Sequence, residues 1–173
     1  MTWLLLTLST AILILAFLLR RHAVKRLAAL GLAGEVIYSD NDAVDEVLVS
    51  HRHGLTGKPD YISKEGEELI PVELKSRSVT AAGAYEGEIL QLAAYCLLVE
   101  ERFGKPVRRG QLLFQNRSLE VLFDDQLCAR LLDAVAELKS AEAMADFARS
   151  HNSPARCRGC GFRHACRDSL TSA

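Results

Sequence analysis

Three charged residues in the stretch GKPDYISKEGEELIPVELKS, residues 57–76, could do chemistry together: Asp60, Glu73 and Lys75. Two carboxylates converging on one point repel each other unless a divalent cation lies between them, and oxygen ligands suit Mg²⁺ or Mn²⁺. Such an ion lowers the pKa of a bound water and neutralises charge on a scissile phosphate. A lysine beside it could orient that water or stabilise a negatively charged transition state. In IPVELK, strand alternation puts Ile70, Val72 and Leu74 on one face, toward a core, and Pro71, Glu73 and Lys75 on the other. Asp60 precedes them on a strand that can lie alongside, with Gly57 and Pro59 suited to a bend that aims it. An exposed strand edge carries the same pattern, so these three charges alone leave solvent-face decoration open.

The next helical pattern, EILQLAAYCLLVEERFG, adds Gln91 and Tyr95, which lie four apart and so share a helix face. An acid, then E-x-K, then Q-x-x-x-Y on the following helix, in that order, resembles the RecB-like branch of the PD-(D/E)xK nuclease superfamily. With GLTGKPDYI, PVELKS and the closing CRGCGFRHAC, the chain is similar to the CRISPR-associated and Dna-two-type RecB-like exonucleases (the Cas-four family) over roughly residues 35–170. The resemblance implies that Asp60 and Glu73 are metal ligands, with the backbone carbonyl of Leu74 as a candidate third. It implies that Lys75 is the catalytic lysine and that Gln91 and Tyr95 are catalytic-motif residues near the substrate strand. Members of the family also carry a metal-binding histidine upstream of the first acid. His22, His51 and His53 are the candidates here; none matches the motif, and none is assigned a catalytic role.

Cys157, Cys160 and Cys166 form C-x2-C-x5-C in an arginine-rich segment. Thiolates so spaced read as metal ligands, although three are one short of a closed site. In the family resembled, a fourth cysteine near the N-terminus completes a [4Fe–4S] cluster; this chain has no cysteine before Cys96. His151 or His164 could complete a Cys₃His zinc site or ligate one iron of a cluster, and an empty, vestigial site is the third reading. Cys96 and Cys128 read as small apolar core residues.

These residues need elements to hold them. EVIYS reads as a strand and SDND as a turn. DEVLVSH and LTGKPDYIS read as a hairpin through RHG, and LIPVELK as a further strand. The long helix closed by Gly104 follows. VRRGQLLFQ and LEVLF then form a strand pair, and an amphipathic helix opens at Asp124 or Asp125. The expected fold class is α/β: a restriction-endonuclease-like mixed central sheet flanked by helices. An N-terminal transmembrane helix and a C-terminal Cys-rich metal-binding tail complete it.

The transmembrane expectation comes from residues 1–19, which carry no charge and are followed at once by RRHAVKR. About 17 to 20 apolar residues suffice to cross a bilayer. A secretory signal would place its positive charge ahead of the run. The basic flank would keep the C-terminal domain in the cytoplasm, which predicts a single-pass protein of the inner or plasma membrane. A cytoplasmic domain argues against disulfides among the five cysteines.

The domain reading is 1–34 for the anchor and juxtamembrane helix, 35–148 for the nuclease core and 149–173 for the Cys-rich segment. A net charge of −1 gives no general affinity for nucleic acid, so DNA contact must come from local patches. Arg149, Arg156, Arg158, Arg163 and Arg167 make one candidate; an ordinary solvated surface is the other reading of that cluster. The expected function is a membrane-anchored, Mg²⁺- or Mn²⁺-dependent DNA nuclease, an exonuclease by the resemblance. A non-catalytic DNA-binding or scaffold protein on the same fold is the alternative.

Overall fold

The computed structural model describes residues 2–29, 31–32, 34–39, 47–144 and 149–171. They fall into two compact units, Met1–Leu132 and Asp133–Ala173. Of the turn expected at SDND, residues 39–42, all but Ser39 lies outside the described residues, as does the start of DEVLVSH.

In the first unit a five-stranded sheet runs in the order β1 (Glu35–Ser39), β4 (Tyr61–Glu65), β5 (Glu68–Leu74), β6 (Arg109–Leu113) and β7 (Ser118–Leu122). Neighbours are antiparallel except β5 and β6, which are parallel. A parallel pair cannot be closed by a hairpin and needs a crossover. Helix α2 (Glu86–Phe103) supplies it. That helix ends at Gly104, whose φ of 62° is the left-handed conformation that favours glycine at a helix C-terminus. The expected hairpin through RHG is a separate two-stranded sheet of β2 (Leu48–Ser50) and β3 (Leu55–Gly57). It stops before Pro59, a buried residue with no N–H to offer a ladder, and the chain resumes as β4. Helix α3 (Asp125–Met144) begins where Asp124 Oδ1 accepts the Leu127 N–H at 2.8 Å.

The main core lies between α2 and the sheet. Ile62, Leu69, Leu92, Cys96, Leu98, Val99, Leu112 and Phe114 are buried together there, and Ile70, Val72 and Leu113 form a smaller cluster with Leu32 and Tyr61. Gly110 on β6 lets α2 come close. A Cβ at that position would stand 2.7 Å from Leu92 Cγ and 3.0 Å from Cys96 Sγ. The mixed sheet packed with helices is as expected. One detail of β5 is not: both faces are covered, Pro71 and Glu73 as well as Ile70 and Val72, while Leu74 is exposed.

Two parts of the expected architecture are overturned. The N-terminal segment does form a helix, α1 (Thr2–Ala29), but among the described residues no helix is long and apolar enough to cross a membrane. The transmembrane helix, the membrane as a partner and the single-pass localisation are therefore withdrawn.

The Cys-rich metal-binding tail is withdrawn as well: among the described residues no group of three or more His, Cys, Asp or Glu side chains could hold a metal ion. In the second unit, Cys157 is buried on the short helix α4 (Pro154–Arg158), while Cys160 is exposed and Cys166 half-buried. Successive tight turns separate them, with the Cys160 N–H donating to Cys157 O and the Cys166 N–H to Phe162 O. The Cys157 sulfur accepts the Leu170 N–H at 3.5 Å, and His151 Nδ1 accepts the Ser153 N–H at 3.2 Å. The Cys157 sulfur and His151 Nδ1 thus each accept a backbone N–H of the local fold.

Candidate active site

The antiparallel register of β4 and β5 pairs Tyr61 with Val72. One step further places Asp60 opposite Glu73, and side chains opposite each other on neighbouring strands share a face. That face is the one covered by α2, so the site lies at the edge of the main core rather than on an open strand edge. Asp60 Oδ2 accepts the Leu74 N–H at 2.7 Å, which ties the residue before β4 to the last residue of β5. The Lys75 N–H donates to Leu113 O at 2.8 Å, so the parallel β6 fixes where the lysine leaves the sheet.

Glu73, Lys75, Gln91 and Tyr95 form one hydrogen-bonded chain. Lys75 Nζ donates to Glu73 Oε1 at 3.0 Å and to Gln91 Oε1 at 2.7 Å. Gln91 Nε2 donates to Glu73 Oε1 and to the Tyr95 hydroxyl, each at 2.9 Å. The amide therefore uses its oxygen toward the ammonium and its nitrogen toward the carboxylate, which settles its orientation by the network. Tyr95 has room because Gly57 carries no side chain. A Cβ there would lie 2.8 Å from Tyr95 Cε1 and 2.9 Å from Leu98 Cδ1.

Burial pushes the Glu73 carboxyl above the ordinary glutamate range, and the neighbouring Asp60 adds to that, while Lys75 pulls the other way. Burial and Asp60 together also raise the Tyr61 phenol. The Glu73 carboxyl is thus poorly solvated and repelled by Asp60, the situation that a cation between the two relieves. The structure brings together Asp60, Glu73, Lys75, Gln91 and Tyr95, with the Leu74 backbone beside them. It does not bring in the histidines. His53 Nε2 lies 3.4 Å from Glu101 Oε1, near the far end of α2, and His22 and His51 are exposed.

Two residues beside the network were not singled out from the sequence. Arg77 donates from Nε to Glu88 Oε1 at 2.9 Å and from Nη2 to Glu88 Oε2. Glu88 also accepts the Tyr85 N–H at 2.8 Å, closing the first turn of α2. Half of the signal was available: Glu88 precedes Gln91 by three, near the period of a helix, whereas Arg77 lies in the bend after β5, which ends at Leu74.

A mixed sheet with an acid pair and a lysine at the end of its central strand, capped by a Gln/Tyr helix, is accompanied by a family match over nearly the whole chain. The chain belongs to the PD-(D/E)XK nuclease superfamily, whose family model matches residues 3–167. Among curated proteins it is similar to a CRISPR-associated exonuclease Cas4/endonuclease Cas1 fusion of Geobacter sulfurreducens. The two are 40% identical over 95 residues, 53% of this chain and 17% of the relative. It is also similar to the CRISPR-associated exonuclease Cas4 of Francisella tularensis subsp. novicida, 28% identical over 121 residues, 70% of this chain and 60% of the relative. The chain thus spans less than two thirds of the length of each. A solved chain described as the crystal structure of SSO0001 is similar over 73% of this chain and 58% of its own. Its 21% identity and TM-score of 0.41 are too distant to carry a fold assignment.

Proposed function

We propose that the chain is a divalent-metal-dependent DNA nuclease working at Asp60, Glu73 and Lys75, in the core assigned to residues 35–148. Exonuclease action is the form its Cas4 relatives favour. The observation that carries the reading is Lys75 Nζ held between Glu73 and Gln91 at 3.0 and 2.7 Å, with a second carboxylate, Asp60, anchored beside Glu73. A surface ion pair needs neither the second acid nor the half-buried amide of Gln91.

The donor set fits a hard cation such as Mg²⁺ or Mn²⁺: two adjacent carboxylates, that of Glu73 buried, with oxygen ligands only. Asp60, Glu73 and the Leu74 carbonyl would hold it. When bound, such an ion neutralises charge on the scissile phosphate and makes a water more acidic. The chain's own groups supply the rest. Lys75 places a fixed positive charge where charge builds up on the phosphate oxygens. Gln91 holds Lys75 and Glu73 in register, and the Tyr95 hydroxyl fixes the Gln91 amide in turn.

The test is cleavage of end-labelled single- and double-stranded DNA by the purified chain with Mn²⁺ or Mg²⁺. Products should appear with the ion, vanish in chelator and vanish in Glu73→Ala. Identical products from wild type and Glu73→Ala would sink the nuclease reading and leave the non-catalytic DNA-binding one.

A further inference from the structure

Tyr85 is 64% exposed at the start of α2, the helix that carries Gln91 and Tyr95. Its ring is not loose. The Arg77 guanidinium carbon lies 4.0 Å from the Tyr85 ring centre and 4.8 Å from that of Phe114, which is fully buried. Glu88 grips the same guanidinium through Nε and Nη2, and Arg77 Nη1 donates to Ser78 O at 3.1 Å. A guanidinium has five N–H donors. One on Nη1 and one on Nη2 therefore have no partner among the described residues. An exposed aromatic ring is thus fixed to the core through an arginine that still has donors to give.

The position of this pair relates it to the reaction centre. Lys75 meets Gln91, and Arg77 meets Glu88, so the two pairs are successive rungs between the segment that follows β5 and one face of α2. Three residues of helix separate the rungs by about 4.5 Å along the axis. That is comparable with one base step of a nucleic acid strand, about 3.4 Å.

We propose that Tyr85 and Arg77 form a strand-binding subsite one nucleotide from the scissile phosphate. The open face of Tyr85 stacks on a nucleobase, and the spare N–H donors of Arg77 take the adjoining phosphate. Stacking on an aromatic face tolerates any base, because every base has a π surface. The subsite would therefore hold a single strand without reading its sequence. The proposal rests on the nuclease reading above and extends it to how the substrate is held.

The experiment uses the full chain and a single-stranded oligonucleotide carrying 2-aminopurine near its end. Binding is followed in chelator by fluorescence, and cleavage with Mn²⁺ by steady-state kinetics. Wild type should quench the probe on binding. Tyr85→Ala and Tyr85→Leu should lose the quench and raise KM roughly tenfold with a smaller change in kcat. Tyr85→Trp should restore both. Leucine keeps apolar cover over Arg77 but has no π face, so it separates stacking from mere support of the fold. A wild type that cleaves, with Tyr85→Leu matching it in KM and quench, overturns the subsite alone. A wild type that neither binds nor cleaves any DNA overturns the nuclease reading and the subsite together.

Discussion

Asp60 Oδ2 accepts the backbone N–H of Leu74 at 2.7 Å, across 14 residues of chain. The contact does two things that separate on mutation: it holds β5 in place and it sets the carboxylate opposite Glu73. Asp60→Asn keeps an acceptor for the amide but removes the charge. Asp60→Ala removes both. Cleavage should fall at least about a hundredfold in each variant. Only Asp60→Ala should also lose stability, about 1 kcal/mol in denaturant melts. Equal stability loss in the two would show that the hydrogen bond contributes nothing to the fold.

Lys75 is the cation that offsets Glu73 when no metal is present. Its side chain is 15% exposed and that of Glu73 11%, so its removal leaves a poorly solvated carboxylate facing Asp60 unpaired. Lys75→Met should cost about 2 kcal/mol in chelator and abolish detectable cleavage. Added Mn²⁺ should raise the melting temperature of Lys75→Met more than that of wild type, because the ion takes over the charge that Lys75 had balanced. A smaller shift in the variant would show that Asp60 and Glu73 do not share a cation.

Gly57 is a steric condition on the site. A methyl group there meets Tyr95 Cε1 at 2.8 Å and Leu98 Cδ1 at 2.9 Å, and both belong to a packed helix. Gly57→Ala should destabilise by about 1–3 kcal/mol and displace the Tyr95 ring, costing Gln91 its hydroxyl partner. Tyr95→Phe, which removes the hydroxyl and leaves the ring, should lower cleavage by a smaller factor than Gly57→Ala. Thermal melts and initial rates on the two variants check this, and the reverse order of rates would remove Gly57 from the account.

The sequence carried most of the site because the two periods are strong there. Glu73 and Lys75 are two apart on a strand, and Gln91 and Tyr95 four apart on a helix, so their shared faces follow without coordinates. The direction of those faces did not follow. Pro71 and Glu73 looked like an open side, but α2 crosses back over them because β5 and β6 are parallel, a pairing that local alternation cannot reveal. The ends of the chain misled for a related reason. A long apolar run and a cysteine spacing are one-dimensional signals. Whether three thiols converge depends on how the chain turns. Glu88 was legible by the helical period but carries no motif of its own, and Arg77 lies in the bend after β5, where no period applies.

The Arg77–Glu88 pair gives the molecule a defined acid sensitivity. Hydrogen bonding to Arg77 holds the Glu88 carboxyl below the ordinary glutamate range, with burial opposing it. A carboxyl depressed in the folded state contributes stability that is fully present above its unfolded pKa, about 4.3, and is lost as pH falls through the folded value. Glu88→Gln should therefore melt below wild type at neutral pH, by the equivalent of about 1–2 kcal/mol. The gap should narrow below about pH 4 and close at lower pH, because Arg77 keeps its charge throughout. Melting temperatures of the two proteins from about pH 7 to pH 3 test the sign directly. A gap that widens toward acid would mean that the pair costs the fold stability when ionised. A gap that stays constant would assign the loss to packing around Glu88 rather than to its charge.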